Sequence, residues 1–198
     1  MAFTSTAHNG AVYPSNITNR KISHWISKIH LSNFRNYKEA EFQIQKAPVI
    51  LIGKNGTGKT NLLEAISLLA PGRGLRRANK DEFSYKDSVN PISGEKKWAL
   101  SANLQVNNTC WQIGTGISQE GKQRTVKINE QSETQEMLSE ICAVSWLTPQ
   151  MDGLFLDSPS SRRRFIDRLA ITFDTGHAGR LLRYYKLYRE RNRMLANE

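Results

Sequence analysis

Apolar and polar side chains alternate along two stretches between residues 25 and 44. Both stretches place their apolar residues on a roughly two-residue period: Ile26, Ile29, Leu31 and Phe34 in the first, and Ala40, Phe42 and Ile44 in the second. A period of two is typical of a strand that buries one face. The pattern therefore predicts a hairpin of two short strands joined near residues 33–38.

An unbroken apolar run follows Pro48 and ends at Gly53. Its residues 49–52 are Val, Ile, Leu and Ile, a composition typical of a strand that is buried on both faces. Residues 60–69 then combine strong helix formers with apolar side chains on nearly every side, and Pro71 ends the segment. This order predicts a buried strand followed by a buried helix.

Strict alternation returns over residues 98–128 and is interrupted by the turn pair Asn107 and Asn108. Such spacing predicts an antiparallel meander. Beyond the meander, residues 137–141 indicate a short helix. Residues 143–147 indicate a second buried strand that stops at Pro149.

The last forty residues have the pattern of two helices. Ser158 and Pro159 suit a helix N-cap and the first helical position, and residues 174–179 predict a break. The final helix carries one apolar stripe, in which we expect the tyrosines to pack rather than to stack on bases: Leu181, Tyr184, Tyr185, Tyr188 and Leu195. We expect a disordered arm at residues 1–22, an α/β domain at 23–157, and the start of a truncated helical domain at 158–198.

The composition restricts the class of protein. The chain has 198 residues and a net charge of +10, and it contains no apolar run long enough to cross a membrane. Its two cysteines, Cys110 and Cys142, lack the spacing of a zinc site or a disulfide framework, and the first twenty residues lack the pattern of a signal peptide. We therefore expect a cytoplasmic protein without a membrane partner, whose basic ends attract nucleic acid or another polyanion.

Residues 53–60 match the pattern G-x-x-x-x-G-K-[ST] between the predicted strand and helix: Gly53, Lys54, Asn55, Gly56, Thr57, Gly58, Lys59 and Thr60. The glycines allow consecutive N–H groups to point inward at a helix N-terminus, where the helix dipole favours an anion. Lys59 would reach the β- and γ-phosphates, and the Thr60 hydroxyl would bind Mg²⁺. The motif predicts a site for ATP and Mg²⁺, with a structural glycine-rich turn as the alternative.

A P-loop enzyme also needs an acidic residue at the end of an apolar strand to hold Mg²⁺ and to poise the attacking water. The nearest match is Asp157 after residues 154–156, but Gly153 interrupts the apolar run and Ser158 and Pro159 follow at once. This composition favours a loop or a helix entry over a catalytic strand.

Three motifs in chain order resemble the RecF family of bacterial recombination mediator ATPases, which is related to SMC proteins and ABC-transporter heads. They are residues 31–37 (LSNFRNY), the P-loop with its helix and the following GRGLR at 72–76, and residues 147–150 (LTPQ) with 158–167 (SPSSRRRFID). The resemblance covers about residues 25–198. It implies an α/β P-loop NTPase of ABC/SMC-like head type, with a mixed sheet around a central helix, an antiparallel meander and the start of a helical second lobe.

The resemblance also implies a function. Members of this family form an ATP-dependent homodimer on single-stranded or gapped duplex DNA, act with RecR- and RecO-type mediator proteins, and support recombinase loading and the SOS response. The whole family member is a weak DNA-dependent ATPase. Because this stretch contains neither the signature motif nor the Walker B acids, we expect that it does not turn over ATP alone.

Several site residues follow from the resemblance alone. Gln150 falls where such heads place the residue that senses Mg²⁺ and the γ-phosphate, which makes it a catalytic and metal candidate beside Lys59. Arg35 is a candidate nucleotide contact, with a plain hairpin-turn charge as the alternative. The DNA-binding candidates are Arg73 and Arg76, near an arginine loop, and Arg162, Arg163 and Arg164. The last three open a helix, where cations oppose the dipole, so a phosphate or interdomain contact competes with a solvated face.

Two other functions remain open from the residues. One is a DNA-binding module in which nucleotide is not hydrolysed, which the basic ends favour. The other is a small-molecule kinase with the same loop, which would require an acceptor site and an arginine-rich lid, and the meander at residues 98–128 offers neither.

Overall fold

The computed structural model describes residues 11–12, 24–85, 97–117, 123–174 and 176–196. The predicted disordered arm at residues 1–22 lies outside the described residues except for β1 (Ala11–Val12), which forms a two-residue strand. Among the described residues, no helix is both long and apolar enough to cross a membrane.

The predicted hairpin is confirmed. β2 (His24–Phe34) and β3 (Tyr37–Gln43) pair antiparallel and are joined by a turn at Arg35 and Asn36. Ile29 lies opposite Phe42 and Leu31 opposite Ala40, so the predicted apolar positions share one buried face.

The predicted meander is also confirmed. It consists of β5 (Trp98–Val106), β6 (Thr109–Ile117), β7 (Thr125–Ile128) and β8 (Gln131–Glu133). β5 pairs with β2, which gives a six-stranded sheet in the order β3-β2-β5-β6-β7-β8. Every pairing in this sheet is antiparallel.

The helix predicted at residues 60–69 is α1 (Lys59–Ser67). Its residues Leu62 and Ala65 belong to the same buried cluster as the inner face of the sheet, and so do Leu68 and Leu69 just beyond it. Beneath this cluster Trp98 packs edge-on against Phe34 and Phe83 at ring-centroid distances of 5.6 and 5.2 Å. The sheet and the aromatic side chains thus provide a rigid base for α1.

The strand before α1 differs from the prediction of a strand buried on both faces. β4 (Ile50–Leu51) is two residues long and pairs antiparallel with β1. Val49, Ile50 and Ile52 are 36%, 52% and 57% exposed. Burial on both faces requires elements packed above and below the strand, and in the part of the chain that the structure describes β4 pairs with β1 alone.

The second predicted buried strand, at residues 143–147, is wrong. The short helix α2 (Met137–Ile141) forms as predicted, but residues 142–148 after it form no regular secondary structure, and Leu147 is 81% exposed. A 3-10 helix, Pro149–Met151, follows. An apolar run without a neighbouring strand edge cannot become a sheet strand, whatever its composition.

The C-terminal part is helical, as predicted. α3 (Pro159–Phe173) has Ser158 as its N-cap, whose hydroxyl accepts a hydrogen bond from the backbone N–H of Ser161. α4 (Gly176–Leu195) begins earlier than expected, so the predicted break at residues 174–179 is shorter. The expectation that the stripe tyrosines pack is met only in part, because Tyr184 and Tyr188 are 49% and 44% exposed while their rings stack on each other.

Candidate nucleotide site

The P-loop, residues 53–60, connects β4 to α1. Gly56 and Gly58 have φ angles of +84° and +102°, which side-chain-bearing residues rarely adopt. Gly58 is the N-cap of α1 in the left-handed conformation, and the helix begins at Lys59. Two glycines therefore turn the backbone so that the loop curls around the N-terminus of the helix.

Gly58 is also required by close packing. A Cβ atom at this position would lie 2.6 Å from the Asn36 carboxamide and 2.7 Å from the Tyr37 hydroxyl. Asn36 Nδ2 in turn donates a hydrogen bond to the Thr57 carbonyl at 3.3 Å. Partial burial raises the pKa of the Tyr37 hydroxyl above its usual value. The hairpin turn therefore forms one wall of the P-loop.

The Lys59 ammonium group lies within the loop. It donates hydrogen bonds to the carbonyls of Gly53 and Lys54 at 2.6 and 2.7 Å. The first turn of α1 contains no acidic residue that would neutralise this positive end of the helix. Thr60 is exposed beside it. A lysine, a helix N-terminus and the hydroxyl of an exposed threonine together fit a triphosphate with its Mg²⁺.

A buried carboxylate lies one turn along α1 from the P-loop. Glu64 is fully buried and accepts two hydrogen bonds from Arg35, Nε to Oε2 at 2.8 Å and Nη2 to Oε1 at 2.9 Å. Arg76 Nη1 donates a third, to Oε2 at 2.9 Å. The side chains of Arg35 and Arg76 are 18% and 42% exposed. Two cations thus surround one desolvated anion, an arrangement that satisfies a buried charge.

The predicted roles of Arg35 and Gln150 stay predictions. Arg35 lies at the hairpin turn with φ +55°, and its guanidinium group stacks over the Phe83 ring and pairs with Glu64. Gln150 lies in the 3-10 helix Pro149–Met151, and its side chain falls outside the described part of the structure.

The 72–76 loop, which contains two of the DNA-binding candidates, is attached to α1. Arg76 binds Glu64 and Asn61, and the Leu75 N–H donates to the Ser67 hydroxyl at 2.7 Å. Arg73 donates to Asn79 Oδ1 at 2.8 Å. Among the described residues, the carboxylate of Glu64 thus pairs with Arg76, whereas the partner of Arg73 is a neutral amide.

A residue that the sequence did not single out anchors the start of this loop. Arg124 donates to the carbonyls of Leu68 and Gly72 and to the Thr115 hydroxyl. Burial lowers the pKa of its guanidinium group to about 10. Arg124 thereby connects the end of α1 to the sheet.

The three consecutive arginines of α3 have different surroundings. Arg162 donates to the Asp157 carbonyl at 2.5 Å, Arg163 is exposed, and Arg164 donates to the Ser161 hydroxyl at 2.7 Å.

The turn before α3 contains Asp157, the residue nearest to the pattern of a catalytic acid. Asp157 follows a series of turns instead of a strand, and hydrogen bonds from Ser161 and from the Ser158 N–H lower the pKa of its carboxyl group.

A cavity of about 670 Å³ lies between the 72–76 loop, the irregular residues 142–148 and helices α3 and α4. Its lining is mainly apolar but includes five arginines. Arg73 and Arg164 were candidates from the sequence. The other three were not: Arg77, Arg168 and Arg189. Arg168 stacks over the Trp146 ring at 4.3 Å. The structure therefore brings Arg73 and Arg164, ninety-one positions apart in the numbering, to one surface.

Glu64 was also missed, although the sequence contains a signal for it. The helix predicted at residues 60–69 is apolar on nearly every side, so a glutamate within it must find cationic partners if the helix is buried. The identity of those partners depends on the fold, because Arg35 and Arg76 lie 29 and 12 residues away.

Comparison with known proteins agrees with this architecture. The chain is 47% identical over 175 residues to the DNA replication and repair protein RecF of Mesorhizobium japonicum, and 42% identical over 175 residues to that of Rhizobium rhizogenes. Each alignment covers 87% of this chain and 45% of the relative, so the chain spans about half the length of the curated relatives it matches.

A solved structure of the recombination mediator protein RecF with ATP, in the RecFOR pathway, superposes with a TM-score of 0.70 at 25% identity, covering 87% of this chain and 46% of that one. The expected P-loop head fold and the resemblance to RecF are thereby confirmed. Residues 25–151 match the RecF/RecN/SMC N-terminal domain, and the chain belongs to that family.

Proposed function

We propose that this chain is the ATP-binding part of a DNA replication and repair protein of RecF type. The observation that carries the proposal is the P-loop itself, which lies between the Asn36 and Tyr37 wall and the buried helix α1, with Lys59 inside the loop. A RecF relative is solved with ATP, which supports the choice of nucleotide.

In this proposal each P-loop group has a role set by its chemistry. The backbone N–H groups of residues 53–58 and the α1 N-terminus bind phosphate oxygens, and Lys59 neutralises their charge. Thr60 and Gln150 hold Mg²⁺, which supplies charge neutralisation between phosphates when bound. Arg35, held by Glu64 close to the loop, contributes positive potential at the same site.

We further propose that ATP closes a homodimer on single-stranded or gapped DNA in the cytoplasm, with RecR- and RecO-type partners, in support of recombinase loading and the SOS response. The arginines around the cavity support the DNA component, because Arg73, Arg77 and Arg164 all line it, whereas Asp157 is the single carboxylate among its described lining residues. Arg76, Arg162 and Arg163 are the remaining DNA-binding candidates, and of these Arg76 and Arg163 are exposed.

The test is titration of a fluorescent ATP analogue, with and without Mg²⁺, against the wild-type chain and Lys59→Ala. We expect Mg-dependent binding that weakens at least tenfold in the variant, since the Lys59 ammonium group lies inside the loop against the carbonyls of Gly53 and Lys54. Lys38→Ala, which removes an exposed charge from the hairpin, is the matched control and should bind like wild type. Equal affinity in wild type and Lys59→Ala would contradict the proposal.

A second candidate is a DNA-binding module in which nucleotide is not hydrolysed. The observation that favours it is the position of Asp157, which follows a series of turns and not an apolar strand. DNA affinity that falls steeply with salt but does not change with ATP would favour this function over an ATP-driven one.

A further inference from the structure

A continuous series of polar contacts runs from the P-loop to the 72–76 loop. The Thr57 carbonyl accepts from Asn36 Nδ2, Asn36 Oδ1 accepts from Asn61 Nδ2 at 2.8 Å, and Asn61 Oδ1 accepts from Arg76 Nη1 at 2.8 Å. We call these contacts the polar bridge. Each asparagine donates through its amide nitrogen and accepts through its carbonyl oxygen. Each hydrogen bond therefore fixes the carboxamide in the orientation that the next hydrogen bond requires.

The far end of the bridge is fixed by charge. Arg76 Nη1, which binds Asn61, also donates to the fully buried Glu64. Glu64 cannot exchange this partner for water, because none of its surface is accessible. Arg35 donates to both oxygens of the same carboxylate and directly precedes Asn36 in the hairpin turn. The bridge and the Glu64 pairs therefore form a closed circuit between the hairpin turn, α1 and Arg76.

The backbone of the 72–76 loop depends on the same helix. Leu75 binds the Ser67 hydroxyl, and Gly74 has φ +68° and approaches α1 so closely that a Cβ atom would lie 2.8 Å from the Leu68 side chain. A displacement of α1 relative to the hairpin therefore changes the docking of this loop. Conversely, a displaced loop removes Arg76 from Asn61 and Glu64.

We propose that Asn36, Asn61 and Glu64 are positioning residues that couple nucleotide binding at the P-loop to the position of the 72–76 loop. A nucleotide that orders the peptide between Thr57 and Gly58 orders the acceptor of Asn36, and the bridge transmits this order to Arg76. The inference rests on the proposed function, because it needs a nucleotide at the P-loop. Binding linkage is reciprocal, so removal of the bridge also weakens nucleotide binding.

Hydrogen exchange measured by mass spectrometry tests the coupling, because the amides of residues 72–76 report loop docking directly. Wild-type chain is compared with and without a non-hydrolysable Mg-ATP analogue, while a fluorescent ATP analogue measures binding in the same samples. We expect nucleotide to slow exchange in the loop by about fivefold or more, the lower end of typical coupling between sites.

The variants interrupt the bridge at different links. Asn61→Ala removes both bonds of the central residue, and Asn36→Ala removes the link at an exposed position where folding is not at risk. Asn61→Asp keeps an acceptor for Arg76 but loses the donor to Asn36, so it should leave the loop docked while abolishing its response to nucleotide. Leu63→Ala, on the exposed face of the same helix, is the matched control and should respond like wild type.

A double-variant comparison separates coupling from loss of a direct contact. Asn36→Ala and Asn61→Ala break the same link, so the double variant should lose no more nucleotide affinity than the more affected single variant. If the two losses add, the bridge does not act as a unit and the proposal fails. It also fails if Asn61→Ala shows the wild-type exchange response.

The outcome distinguishes this inference from the proposed function. If wild type binds Mg-ATP but exchange at residues 72–76 does not change, the coupling is refuted and the proposed function stands. If wild type binds no nucleotide at all, both are refuted.

Discussion

Replacement of Glu64 should destabilise the chain more than any change to either of its arginine partners. Glu64 is fully buried, whereas the side chains of Arg35 and Arg76 are 18% and 42% exposed. Glu64→Ala leaves two guanidinium groups without their common anion. Arg76→Ala leaves the carboxylate with both of its bonds to Arg35.

The contact geometry sets the magnitude. Glu64 accepts three charge-assisted hydrogen bonds, and loss of one partner from a buried ion pair costs about 3–5 kcal/mol. Arg76→Ala removes one of the three bonds to Glu64 and the bond to Asn61, but the deleted side chain is 42% exposed, so we expect about 1–2 kcal/mol. Glu64→Gln keeps the shape of the side chain but removes its charge, and should still lower the free energy of unfolding by at least about 2 kcal/mol. Comparison with Glu64→Ala then separates the effect of the charge from that of the cavity that alanine creates.

Urea unfolding monitored by tryptophan fluorescence measures these differences. Trp98, one of four tryptophans in the chain, is 2% exposed and packs on Phe34 and Phe83, so its contribution to the emission reports the core beside α1. Equal m-values across the variants would confirm that the native state is unchanged. A loss below about 1 kcal/mol in Glu64→Ala, or one in Arg76→Ala that equals it, would refute the argument, because a buried carboxylate with three bonds must cost more than that.

Three further predictions concern other parts of the molecule. Gly58→Ala places a Cβ atom against the hairpin wall at φ +102°, so binding of a fluorescent ATP analogue should be lost and the melting temperature should fall; wild-type binding would contradict the required packing. Ser158→Ala removes the N-cap of α3 and should cost about 1 kcal/mol in thermal unfolding, whereas Ser160→Ala, its neighbour, should cost less. Burial raises the pKa of the Cys142 thiol to about 11, so at pH 8 it should react with a thiol reagent far more slowly than the exposed Cys110, and comparable rates in the Cys110→Ser and Cys142→Ser variants would disprove this.

The raised pKa of the Cys142 thiol also determines how the free energy of unfolding changes with pH. The folded-state pKa of about 11 lies above the usual value of 9, so the unfolded thiol ionises first as the pH rises. The Cys142 thiol therefore lowers the free energy of unfolding as the pH rises from 9 to 11, and it has no such effect below pH 9.

The spacing of apolar residues correctly predicted the elements that bury a single face. The hairpin, the meander and α1 each present one apolar face to the common core, and alternation or helical spacing records that face directly. β4 and residues 143–147 were predicted less well. An uninterrupted apolar run indicates that a segment tends to be buried, but not which strands or helices lie against it, and Ile52 and Leu147 are both exposed.

The same distinction applies to the candidate site, where consecutive residues could be predicted from the sequence and distant partners could not. The P-loop could be found from its spacing because its function uses consecutive residues. The partners of Glu64 and the convergence of Arg73 with Arg164 depend on the path of the chain between them. Only the presence of a glutamate in an apolar helix indicated in advance that cationic partners had to exist.

The arginines around the large cavity make the protein sensitive to its buffer. Burial, together with the neighbouring charges of Arg164 and Arg73, lowers the pKa of the Arg77 guanidinium group, which shows that like charges have been brought together at this surface. Folding works against that repulsion, so multivalent counterions that settle among these side chains relieve it. Phosphate or sulfate should therefore raise the melting temperature more than chloride at equal ionic strength, and a storage buffer chosen without such anions leaves this region of the chain at its least stable.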